Sequence, residues 1–153
     1  MEWVLLAAIV GILAYANTLR ATPSSGFMGA TLAMARFDEI DVRNRYPTRH
    51  PSWHAKLTTR GDSDVFVQSN VWAPDGSTGW HTRPGPSLIL VTAGTISGYE
   101  GDDPSCTPHV YTQGMGFVDR GGDHVHLLRN ENPTVEARTI AVQLIPAESH
   151  EAD

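Results

Sequence analysis

The 153 residues include a single cysteine, Cys106, and a single lysine, Lys56. One thiol excludes an internal disulfide, a zinc ribbon and a Cys-x-x-Cys redox pair, and Cys106 reads as a small buried hydrophobe. The 11 basic residues stand against 17 acidic ones, for a net charge of −6. They form no run or stripe along the chain, which argues against a nucleic-acid partner. Internal repeats and amphipathic helices are also missing, which excludes solenoids and helix-covered parallel sheets. A long apolar run occurs only at the start, from Trp3 to Ala16. It is shorter than the roughly 20 residues of a spanning helix, and it ends in Ala14-Tyr15-Ala16, the small-any-small pattern of a signal-peptidase site. Yet no Lys or Arg precedes it and Arg20 follows it, which reverses the usual leader polarity. Residues 1–20 are therefore read as a hydrophobic leader or signal-like segment. A cleaved leader, a short membrane anchor and a packing helix all stay open, with export expected ahead of the alternatives and membrane contact confined to this segment.

What remains fits one domain. Residues 21–30, beginning "ATPSSGFMG", are small and Pro/Gly-containing, as a linker would be, and residues 31–150 form the domain. Residues 31–55 read as short strands and loops, since Pro47 and Pro51 interrupt them. Beyond Lys56 the chain alternates short β-like runs with turns such as "APDGSTG", "GDDPSCTP", "RGGD" and "NENP". The runs are 64–72, 87–92, 95–100, 110–112, 115–118, 124–129 and 135–145. Short, evenly spaced strands with Gly/Pro turns predict an all-β fold, a sandwich or barrel. Arg60-Gly61-Asp62 is ordinary turn chemistry, and Glu100, Asp102 and Asp103 read as a solvated hairpin tip, because the spacing of a calcium loop is absent.

Two stretches carry chemistry. In "GWHTRPGPSLILVTAGT", residues 79–95, His81 and Arg83 alternate and so should face one space. In "GMGFVDRGGDHVHLLRN", residues 114–130, His124 and His126 do the same. A histidine in a strand is most often a hydrogen-bonded structural residue, and that reading holds for His50, His54 and His150. His109 is a further pocket candidate. Ser87 beside His81 invites a hydrolase reading, but no Gly-any-Ser-any-Gly elbow exists.

The two stretches resemble the paired motifs of the cupin superfamily over residues 62–146. His81 takes the first histidine slot, Arg83 the second, Ser87 the glutamate slot, and Gly94 the closing glycine. Gly114, Arg120 and Gly122 take the early slots of the second motif, and His126 and Asn130 the last two, with one extra residue before His126. The resemblance implies a single-domain double-stranded β-helix, a small jelly-roll barrel with one ligand pocket. It further implies a divalent transition metal, iron, manganese, zinc, nickel or copper, held in part by His81 and His126. Arginine offers no lone pair, so a regular His124–His126 strand would complete a three-histidine set of His81, His124 and His126. A β-bulge would instead turn His124 outward. Arg83, Ser87, Trp80 and Asn130 are then candidates to bind a small anionic molecule. Two functions follow: a metal-dependent barrel of oxidoreductase or isomerase type, or a metal-free binding or structural module, either of which could be a homodimer through exposed sheet edges.

Overall fold

In the segment Ala137–Pro146 every second side chain is buried: Ala137, Thr139, Ala141, Gln143 and Ile145. This is the period of a strand with one face on a core, and the computed structural model, which describes residues 21–45 and 53–149, shows ten strands and no helix among them. The strands are β1 (Ser25–Phe37), β2 (Asp41–Arg45), β3 (His54–Thr58), β4 (Ser63–Ser77), β5 (Ser87–Ala93), β6 (Thr95–Glu100), β7 (His109–Thr112), β8 (Gly116–Asp119), β9 (His126–Arg129) and β10 (Ala137–Pro146). Residues 1–20, with the leader-like run, and His50 and His150 lie outside the described residues.

The ladder runs β7-β6-β9-β4-β10-β5-β8, with β1 added on β4. Strand β4 belongs to two sheets. Its first part pairs β10 as far as Trp72↔Ala137, and its end meets β9 at Ser77↔Arg129. One sheet is therefore β4-β10-β5-β8 and the other β4-β9-β6-β7, the connectivity of a double-stranded β-helix and an almost closed barrel. The open seam lies between the two edge strands, β7 and β8. Inside, Trp72, Ile89, Ile96, Leu128, Ala137 and Ala141 form the apolar core, with Phe27 and Phe117 packed against it. Val91 and Ile145 are buried as well, and the other buried side chains include many polar ones, among them Asn70, Ser87, Asp119, His126 and Thr139.

Several elements differ from their sequence reading. Strand β1 begins at Ser25, inside the segment read as a linker, because its small residues lie against β4 all the way from Phe37↔Ser63 to Ser25↔Ser77. "APDGSTG" was expected to end a strand. The chain instead turns a corner there without leaving the sheet, with Asp75 at φ 58° as β4 passes from one sheet to the other. Strand β9 starts at His126, so His124 precedes it. Cys106 is exposed, not buried: its amide donates to Asp103 O at 3.1 Å in a turn whose left-handed backbone, φ 48°, holds it at the surface.

Candidate metal centre

Ser87 opens β5 and Asp119 closes β8, and the two are register partners. Partners in an antiparallel ladder share a face, and both are buried. A carboxylate missing at position 87 is thus present one strand away. The turn after β8 sets its orientation. Gly121 sits at φ 64°, where a Cβ would fall 2.1 Å from Gly85 O, so only glycine fits this close approach. Its amide donates to Asp119 Oδ1 at 2.9 Å, which leaves Oδ2 facing His126 Nε2 at 3.4 Å.

His126 and His81 pair through two reciprocal backbone hydrogen bonds of 3.0 Å, which brings their rings to 4.4 Å between centroids. His81 Nδ1 lies 3.0 Å from Gly79 O, and His126 Nδ1 lies 3.4 Å from His124 O. A ring nitrogen facing a carbonyl carries the proton, so Nε2 of each ring keeps the lone pair. Loss of water on burial, with repulsion from Arg83 and from His126 whenever that ring is protonated, holds His81 below the usual histidine range, against the opposing pull of Gly79 O and Asp119. His81 is therefore a neutral imidazole near pH 7.

His124 completes the group. Its Nε2 lies 2.7 Å from Glu100 Oε2, and one ligand atom each from Asp119, His124 and His126 come within 4.8 Å of one another. A second group of Glu100, Asp102 and His124 shares that histidine. Among the described residues, Asp119 Oδ2, His126 Nε2, Glu100 Oε2 and His124 Nδ1 are all buried without a hydrogen-bond partner. Each such group costs about 1–3 kcal/mol. The contacts of 3.4 and 2.7 Å are thus close approaches that lack hydrogen-bond alignment, one in each of the two groups. A divalent cation fits this donor set, and these orphaned atoms are the reason.

Two cavities flank the histidines. The first, about 210 Å³, opens at the seam and is lined by Glu100, His109, Tyr111, Phe117, Asp119, Arg120, His124 and His126. The second, about 440 Å³, lies on the side of β1 and is lined by Phe27, Gln68, Thr78, His81 and Arg83 among others. Between them the lumen narrows to about 10 Å³ beside Asn70, Trp72, His81, Arg83, Asp119 and His126, about enough for one water.

Of the residues anticipated from sequence, His124 and His126 come together with Asp119, while His81 stands beside His126 but in neither ligand group. His81 and Arg83 do share one space. Ser87 is buried behind Asp119 with its hydroxyl unbonded. Trp80 is tied by its backbone to Thr22, through bonds of 2.7 and 3.0 Å, and lines neither large cavity. Asn130 is corrected outright. It is fully buried, and its amide donates to Trp72 O, Ala73 O and Val135 O at 3.3, 3.1 and 2.8 Å. Its Oδ1 accepts from Asn132 N at 3.1 Å. Fully buried and with its amide N–H groups engaged, Asn130 acts as a clamp on the corner of β4. Asp119 was missed, and Glu100, read as part of a solvated hairpin tip, instead ends β6 with a buried carboxylate oxygen. The available signal was the alternation of Phe117 and Asp119, which places an acid on the inward face of a strand.

His81 makes a pH prediction. Its folded pKa is below its unfolded one, so between the two the unfolded chain binds the extra proton and stability falls as pH falls. The contribution is complete above about 6.5 and is lost on acidification through the folded pKa. Melting curves from pH 8 to 5 should show this acid slope in the wild type and a shallower one in His81→Gln. Identical slopes would remove His81 from the account.

No family model matches this sequence, and no curated protein does. Solved structures do. A cupin superfamily protein from Desulfitobacterium hafniense aligns over 53% of this chain and 67% of its own, at 14% identity and a TM-score of 0.45. A protein with a double-stranded β-helix domain from Klebsiella pneumoniae aligns over 56% and 70%, at 17% identity and a TM-score of 0.46. A cupin-like protein from Thermotoga maritima aligns over 52% and 56%, at 24% identity and a TM-score of 0.45. About half of this chain takes part in each alignment, and the likeness is one of fold. The strand connectivity by itself defines a double-stranded β-helix barrel, and histidines line its lumen.

Proposed function

We propose that the barrel holds one divalent transition metal on Asp119, His124 and His126, and there binds a small anionic molecule entering through the seam cavity. One observation carries this reading: Asp119 Oδ2 and His126 Nε2 are buried, unbonded and 3.4 Å apart. A buried carboxylate oxygen and a buried imidazole nitrogen, each without a hydrogen-bond partner, are expensive to keep in the interior, and a cation on both would relieve that cost. Imidazole and carboxylate donors suit zinc, iron, manganese, nickel or copper, and three protein ligands leave a position open for a substrate. Bound there, the metal would supply the Lewis-acid or redox chemistry of an oxidoreductase or isomerase. The chain's own part is to fix the tautomer of His126 through His124 O, to hold Asp119 through the Gly121 amide, and to offer Arg120 at the cavity for a carboxylate or phosphate.

A second reading rests on Arg83. Its charge beside His81, in a cavity with Gln68 and Thr78, would suit a metal-free module that binds an anion on the β1 side. Elemental analysis of protein purified without a His tag separates the two. The first reading expects about one transition metal per chain, lost in Asp119→Asn, which keeps the shape and removes the charge. Metal-free protein whose binding of small carboxylates disappears in Arg83→Gln would support the second.

A further inference from the structure

Between β1 and β4 the chain leaves the barrel as a two-stranded ribbon, β2 and β3, which pairs with no other strand among the described residues. All ten of its strand residues are exposed. Such a ribbon is at best marginally stable alone in water. Its register places Val42 opposite Leu57 and Asn44 opposite Ala55 on one face, and Arg43 opposite Lys56 and Arg45 opposite His54 on the other. The apolar pair is uncovered, Val42 at 57% exposure and Leu57 at 47%. On the second face, like charges stand directly across the ladder, an arrangement that destabilises a sheet by itself. Asp41, 3.8 Å from Arg43, offsets it in part.

The basic residues that form no run in sequence are thus gathered into a stripe by strand pairing. Residues 41–60 hold five of the eleven Lys and Arg and one of the 17 Asp and Glu, so this span is net +4 and the remainder of the chain net −10. The ribbon therefore needs a partner with acidic and apolar surface. A membrane or nucleic acid would meet the stripe but repel the body of the same molecule. A second copy of this chain carries the complementary charge and also exposes an apolar sheet face: Leu88, Leu90 and Val118 are 56, 49 and 61% exposed, with Leu88 and Val118 register partners.

We propose that the ribbon is a dimerisation arm, docking on the acidic, partly apolar barrel of a second copy. A ribbon this short covers little area, so the association depends on charge and weakens with salt. Sedimentation velocity on the full chain, over a concentration series at 0.05 and 0.5 M NaCl, tests it. The expected result is a dimer at low salt, with affinity at least about tenfold weaker at high salt. The double reversal Arg43→Glu with Lys56→Glu should be monomeric at both, and the charge-keeping pair Arg43→Lys with Lys56→Arg should still dimerise. Circular dichroism identical to wild type excludes misfolding as the cause. A monomer throughout, a dimer indifferent to the reversal, or a monomer that binds phosphatidylserine vesicles through the ribbon would each overturn the proposal.

Discussion

If the proposed metal site is right, His126→Ala should abolish the thermal stabilisation that a divalent metal is expected to give the wild type. Metal at a hundredfold excess over its dissociation constant stabilises a folded protein by about 2.7 kcal/mol. For a domain of this size that is about 5–10 °C in melting temperature. His126 contributes a buried nitrogen whose lone pair faces Asp119 and no donor, so its removal takes away a ligand and the orientation of the remainder. The apo variant itself will be less stable, because a buried ring is deleted beside His81. The quantity to read is therefore the shift between metal-free and metal-loaded samples of the same variant. A shift equal to the wild-type one would take His126 out of the site.

Asn130→Ala should produce the largest loss of stability of any single change near the motifs, about 3 kcal/mol, since buried groups left unpaired cost about 1–3 kcal/mol each. The amide joins carbonyls of β4's corner, Trp72 and Ala73, to Val135 ahead of β10. Its loss loosens the place where one strand serves two sheets. Asn130→Asp should be at least as damaging, because a carboxylate offers no donor to these carbonyls. Denaturant unfolding measures both. If either variant stays within 0.5 kcal/mol of wild type, the size expected of a neutral surface change, the clamp is not structural.

The strands from β5 to β10 were legible because their information is local: alternation within four to ten residues and Gly/Pro at the turns. The corner of β4 was not, because Pro74-Asp75-Gly76 looks the same in a terminating turn and in a strand bent between two sheets. For β1 the difficulty was composition, since small residues suit a linker and also suit close pairing on β4. The site shows the same division. His81 and His126 stood out by their motif slots, and His124 by spacing. Asp119 could not be matched to Ser87 until the register of β5 with β8 was known, and the fully used amide of Asn130 depends on three carbonyls distant in sequence or lying across a loop. The cationic stripe on the ribbon likewise exists only after β2 and β3 pair.

We propose that Asp119, His124 and His126 converge on one cation. Crystals of the untagged protein grown with zinc, with anomalous differences collected at the zinc edge, test it most directly. The account predicts one strong peak at the seam cavity, about 2.0–2.2 Å from a carboxylate oxygen of Asp119 and a ring nitrogen of each histidine, the distances zinc keeps to such ligands. A peak held by His81 on the Arg83 side of the lumen, or no peak in the barrel at all, would contradict it.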